Sequence, residues 1–225
     1  GNYNTIIGRV AGAVLTTTDA TTLIGYAAGD AINHTDANGT TAVGYAALSA
    51  LTAGSGNLAI GRDASKLLTT GIENLVIGEY AFDAADGAES NNIAIGRNAL
   101  GNINHDSVQR NMSIGDYSGD GMGAYAHVDN LFIGYTAGGG THSAVASRNI
   151  SIGNYSMDGT NAGAGANVAI GYSALSGNMT STADNNVAIG QNAGMEVTSA
   201  AESVFIGADS GDEITSGTKN TAVGA

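Results

Sequence analysis

Few side chains in this chain have the type and spacing to do chemistry. Four histidines, His34, His105, His127 and His142, would be the only imidazole bases or metal ligands. Two runs concentrate carboxylates that could hold calcium: Asp83-Ala-Ala-Asp86-Gly87 and Asp209-Ser-Gly-Asp212-Glu213. Neither has the regular oxygen spacing of a calcium loop, so solvated turns are the expectation for both. His34, His105 and His142 nearly share a column at +9, +9 and +8, but their coils, the second, sixth and eighth, are not adjacent, which speaks against a metal centre within one chain. With no cysteine, there is no thiolate ligand, sulfur nucleophile or disulfide. No carboxylate pair, nucleophile elbow or Ser/His/Asp arrangement can be built from these spacings. The reading is therefore a protein that is not an enzyme, with no cofactor and no resident metal. Aromatic recognition is what remains: seven of nine tyrosines recur at one or two residues after a repeated glycine. Four of them, Tyr26, Tyr45, Tyr135 and Tyr172, directly follow it and are candidate contacts for sugar rings, whose apolar faces suit an aromatic partner.

That glycine belongs to the element that must position everything else. A block of the form Asn-x-x-Ile-Gly-x-x-Ala returns thirteen times, with its glycine at 8, 25, 44, 61, 78, 96, 115, 134, 153, 171, 190, 207 and 224. The intervals are 17, 18 or 19 residues. A short, near-constant period predicts an all-β parallel β-solenoid of about thirteen coils, one coil per block. The repeat fills 1–225 and leaves no room for an unrelated second domain. The last block ends on Gly224-Ala225 without a polar cap, from which a segment of a longer fibre is expected.

Each position, numbered from the glycine, carries its own expectation. Position −1 is isoleucine in eleven blocks and valine in two, read as the core ladder: Ile60, Ile77, Ile95, Ile114, Ile133, Ile152, Ile170 and Ile189. Position −3, mostly apolar, points the same way by two-residue alternation. Position −2 mixes alanine and serine with Ile6, Leu23, Val76, Phe132 and Phe205. Read as the opposite face, it is too apolar for water and calls for a covering chain. Position −4 is asparagine in ten blocks, and Asn57, Asn74, Asn92, Asn111, Asn130, Asn149, Asn167 and Asn186 are expected to stack as a turn ladder. Position +3 is always alanine or serine, which predicts a tight site. Length varies only between blocks, so the loops gather on one edge.

Composition agrees. There are 35 glycines and no proline, and a ladder in which nearly every N–H donates has no place for proline. A net charge of −13 with only seven scattered Lys and Arg excludes nucleic acid as a partner. No apolar run approaches bilayer-spanning length, so no membrane insertion is expected.

The blocks NTAVGYAAL at 40–48, NLAIGRDAS at 57–65, NIAIGRNAL at 92–100, NVAIGYSAL at 167–175 and NVAIGQNAG at 186–194 resemble two groups of surface fibres. One is the repeat shaft of bacteriophage tail fibres, with its Asn-Thr-Ala-Ile-Gly-Tyr-x-Ala-Leu repeat. The other is the head of trimeric autotransporter adhesins. The period near 18 and the Gly-Tyr-x-Ala extension at Tyr26, Tyr45, Tyr135 and Tyr172 favour the phage group. The resemblance implies a left-handed β-roll assembled as a homotrimer, an extracellular place on a virion or bacterial surface, and a host receptor or glycan as partner.

Overall fold

A computed structural model describes residues 1–224. The protein is an all-β parallel solenoid. It comprises two compact units, residues 1–110 and 111–225. The first contains β1 (Thr5–Ile7), β2 (Thr22–Ile24), β3 (Thr41–Val43), β4 (Leu58–Ile60), β5 (Leu75–Ile77) and β6 (Ile93–Ile95). The second contains β7 (Met112–Ile114), β8 (Leu131–Ile133), β9 (Ile150–Ile152), β10 (Val168–Ile170), β11 (Val187–Ile189), β12 (Val204–Ile206) and β13 (Thr221–Val223). Within each unit every strand pairs in parallel with the next in sequence, position for position, as in Leu58↔Leu75 and Leu131↔Ile150. Two short 3-10 turns, Thr35–Ala37 and Asp120–Met122, are the only helical segments among the described residues.

Three residues make a short strand, and the ladder between coils is carried well beyond it. The N–H of Gly134 donates to Ile114 O at 2.8 Å, that of Thr136 to Asp116 O at 3.1 Å, and that of Gly138 to Ser156 O at 2.9 Å. Such continuity needs N–H and C=O groups that point along the stacking axis outside the β-region. Left-handed residues supply it: position +2 has φ between 51° and 60°, and position +4 between 48° and 64°, in every coil that contains them. Most of these are not glycine, and each such residue costs about 1–2 kcal/mol. Most also donate a hydrogen bond to a neighbouring coil, as Asp63, Thr136 and Leu175 do.

The block glycine is constrained more severely. Its φ lies between 125° and 147° throughout. A Cβ on Gly134 would sit 2.7 Å from both the carbonyl carbon and oxygen of Gly153 in the next coil. No larger residue fits there at this coil spacing.

The asparagines close the turn before each strand. Asn130 Oδ1 accepts the backbone N–H of Asn149 at 3.0 Å, while its Nδ2 donates to Ala146 O at 3.1 Å. Asn57, Asn74, Asn111, Asn149, Asn167 and Asn186 also donate to a backbone carbonyl of the following coil. Asn92 donates to Val108 O at 3.3 Å. All eight are buried. One amide thus serves a donor and an acceptor that the turning backbone leaves unmatched, in a place without water. Ser203 does half of this work by accepting Asn220 N–H at 3.1 Å.

The interior corrects the expectation for the two strand faces. Position −2 points inward: Leu23, Ala42, Ala59, Ala94, Ala169, Ala188 and Phe205 are fully buried, and Val76 and Phe132 nearly so. No further chain is needed to cover them. The isoleucines at −1 point outward. Ile60, Ile77, Ile95, Ile114, Ile133, Ile152, Ile170 and Ile189 are half-buried or exposed, at 37% for Ile60 and 38% for Ile189. Constancy of the isoleucine suggested a core, yet the coil closes on the other side of the strand. The segment at +3 and +4 folds back beneath −2, and every +3 Ala or Ser is buried there.

In several coils volume is traded between two positions six residues apart; Val76 with Phe82 and Ala188 with Gly194 depart from it, and the Phe205 ring of the next coil fills the space at Gly194. Leu23, Phe132 and Phe205 at −2 face Gly29, Gly138 and Gly211 at +4; Ala42, Ala94 and Ala169 go with Leu48, Leu100 and Leu175. A Cβ on Gly138 would lie 2.7 Å from the Phe132 ring. This is close packing at fixed cross-section.

Two outcomes follow for urea unfolding. Phe132→Ala should cost about 3–5 kcal/mol, and Gly138→Leu added to it should restore a large part, since Leu48, Leu100 and Leu175 already adopt φ of 48–52° at that position. Gly138→Leu alone should destabilise. Asn130→Ala should cost about 1–3 kcal/mol for each of the two buried backbone groups it orphans, with Asn130→Thr milder because Thr21 and Thr40 stand at −4 elsewhere.

Candidate functional site

The outer surface on the strand side is the best-defined feature that the coil interior does not explain. The −1 isoleucines and the −3 column, which includes Leu58, Leu75 and Ile93 in the first unit and Leu131, Ile150 and Val168 in the second, lie on the same face of each strand. Parallel in-register pairing repeats them once per coil, so each unit carries a band without an intervening charge, apolar except where threonine stands at −3 in Thr5, Thr22, Thr41 and Thr221. Neighbouring coils cover part of every side chain and leave the rest to solvent. Extended apolar surface of this kind marks an interaction site.

Beyond the glycine corner the tyrosines form rows. In the first unit Tyr26 and Tyr45 stack face to face, with centroids 5.2 Å apart and planes 10° from parallel, and Arg9 lies 5.9 Å from the Tyr26 ring centre. Arg62 sits over Tyr80 at 4.6 Å and pairs with Glu79. In the second unit Tyr117, Tyr135, Tyr155 and Tyr172 make successive edge contacts at 6.1, 5.4 and 5.5 Å. All four candidate sugar contacts are exposed to a similar degree; Tyr26 and Tyr45 stack on one another, while Tyr135 and Tyr172 each meet Tyr155 edge-on.

The titratable residues are dispersed otherwise. His34 and His105 are exposed and cap their own turns, accepting from Asp36 N–H at 3.2 Å and Ser107 N–H at 3.1 Å. His127 and His142 do meet, edge to face at 5.0 Å, in consecutive coils of the second unit. The sequence reading missed this pair because it joins unlike positions, +12 in one coil and +8 in the next, so no column of the repeat aligns them. His127 Nε2 lies 2.7 Å from Met122 O, and its Nδ1 lies 2.9 Å from Ala146 O and 3.1 Å from Ala146 N. His142 Nδ1 is buried without a partner. Both His127 nitrogens thus face backbone groups, and among the described residues no three His, Cys, Asp or Glu side chains are arranged to hold a metal ion.

Of the acidic runs, Asp83 is held above the usual carboxylate range by burial, and the buried Glu89 nearby likewise. Glu89 Oε2 accepts Gly87 N–H at 3.0 Å. In the second run Asp209 accepts from Asn192 Nδ2 at 2.8 Å. These contacts shape turns.

No helix among the described residues is long and apolar enough to cross a membrane. The chain matches no family model, no curated protein and no solved structure. What can be stated of its class is thus what the fold shows, a β-solenoid repeat protein with an apolar outer band and rows of tyrosines.

Burial, reinforced by the neighbouring His127 ring, lowers the His142 pKa from 6.5 to about 3. The unfolded chain takes up that proton near pH 6.5 and the folded one only near 3, so stability is intact above pH 6.5 and declines as the pH falls through this window. The slope is about 1.4 kcal/mol per pH unit. His142→Leu should remove this component, seen as a flatter dependence of the urea midpoint on pH between 6.5 and 4.

Proposed function

We propose that this chain is a shaft segment of a homotrimeric surface fibre of the bacteriophage tail-fibre type, which positions, or contributes to, binding of a host-cell receptor outside the cell. One observation carries the reading. The coil interior is already filled by positions −2, +3 and +4, yet an apolar band of −3 and −1 side chains stays half-exposed along each unit.

The band selects its occupant by geometry. It repeats once per coil, at roughly 4.8 Å, and the surface that keeps this step over many coils is another copy of the same chain in parallel register. Closed cyclic symmetry about an axis parallel to the stack uses that match without leaving an open end. Three copies around one axis is the arrangement that the resemblance to tail-fibre shafts implies. Absence of charge from the band means that burial costs no ion desolvation, while the net charge of −13 stays on the remaining surface. A head of a trimeric autotransporter adhesin, binding matrix or glycans from a bacterial surface, is the second reading. It is favoured only by the exposed tyrosines, and it shares the same seam.

Sedimentation equilibrium at micromolar concentration should give three times the chain mass. Ile133→Asp combined with Ile152→Asp should dissociate the assembly and leave folded single chains, recognised by an unchanged β-type circular dichroism spectrum. A wild-type protein that sediments as a stable monomer would overturn the trimer.

A further inference from the structure

The tyrosine row of the second unit has an order that coil packing does not require. Tyrosine alternates between position +2 in Tyr117 and Tyr155 and position +1 in Tyr135 and Tyr172. Equivalent rings thus recur every second coil, about 9–10 Å apart for two strand spacings. Between and beyond them at +1 stand Asn154 and Gln191, both exposed. Asn154 uses Oδ1 to accept the N–H of Tyr135 at 2.9 Å and keeps its amide N–H groups for a ligand. Tyr135 is 41% and Tyr172 52% exposed.

Charge separates this row from its counterpart. At positions +1 and +2 the second unit has no Lys or Arg; Tyr135, Thr136, Asn154, Tyr155, Tyr172 and Ser173 carry no ionisable group other than the phenols, and the carboxylates Asp116 and Asp209 stand only at the two ends of the row. The same two positions in the first unit carry Arg9, Arg62, Asp63, Glu79 and Arg97. There Tyr26 and Tyr45 spend a face on each other and Arg9 approaches Tyr26. The second-unit row instead shows aromatic surface, hydroxyls and amides in a two-coil rhythm.

We infer that Tyr135, Asn154, Tyr172 and Gln191 form a binding track for a neutral, extended polysaccharide of the β-1,4-linked pyranose type. In such a chain every second sugar turns the same face to the same side, which a two-coil alternation of rings and amides matches. Aromatic rings take the C–H faces of the sugars and the amides take their hydroxyls. An anionic polymer gains nothing from a row without cations, and a helical α-linked glucan does not keep the straight two-sugar rhythm. The inference deepens the receptor-binding side of the proposed function. It requires only the second unit's coils, so binding and trimer formation fail in separate experiments.

Calorimetric titration of the full chain with cellohexaose and chitohexaose, against maltohexaose as the α-linked control, tests it. At least one β-1,4 hexaose should bind, and maltohexaose about tenfold more weakly or not at all. Tyr135→Ala and Tyr172→Ala should each weaken binding about three- to tenfold, the value of one aromatic stacking contact. Tyr80→Ala, in the first unit where Arg62 covers the ring, should leave binding unchanged. Since the chain has no tryptophan, tyrosine emission gives a second readout of occupancy, and circular dichroism shows that the variants stay folded. Failure of every hexaose to bind, equal binding of the α- and β-linked chains, or wild-type affinity in both tyrosine variants would overturn the inference, whatever sedimentation reports about assembly.

Discussion

The hydrogen-bonded step from one coil to the next is the constraint from which the other features follow. Each coil must present N–H and C=O groups at one spacing to neighbours above and below, although only three of its 17–19 residues are in a strand. Left-handed residues at +2 and +4 turn the remaining backbone so that it keeps donating along the stack. Where the chain bends hardest, before the strand, the ladder would break. There the buried asparagine substitutes its amide for the missing backbone pair. At the corner after the strand, glycine is demanded twice, by a φ near 135° and by the carbonyl of the next coil. Absence of proline belongs to the same logic.

Once the backbone is held at one pitch, the cross-section is fixed as well, and the two faces of the strand face different problems. Inside, volume is shared between positions and between coils: the space above Gly194 is filled by the Phe205 ring of the next coil. Phenylalanine can stand opposite glycine in one coil and alanine opposite leucine in another. Outside, nothing in the chain itself fixes the side chain, yet −1 is almost invariably isoleucine. Variation in pairs marks the closed interior, and constancy marks a surface whose demand is the same at every rung. A partner with the same period makes such a demand. Similar reasoning applies to the tyrosines. In the first unit they stand among arginines as well as carboxylates, whereas in the second they touch one another edge-on and alternate with amides along a row without cations.

Period, strand position, corner glycine and asparagine ladder were all legible in the chain, because each depends on contacts between equivalent residues of adjacent coils. A repeat prints such contacts directly into the sequence. The +3 alanine site was readable for the same reason. Contacts between unlike positions leave a fainter trace: the −2/+4 compensation is visible only once those two positions are known to meet, and the His127–His142 pair joins offsets +12 and +8, which no column of the repeat aligns.

Alternation along a three-residue strand shows that −1 and −3 share a face opposite to −2, but it has no sign. Tertiary structure alone decides which face is enclosed, through the side to which the +3 and +4 segment folds back. That segment closes beneath −2, so the isoleucine ladder that sequence reasoning placed in the core runs along the outside. The sequence by itself determined the pitch and composition of the coil, since these rest on local backbone geometry repeated at each step. Inside and outside were settled only by the closure of each coil around its own small core.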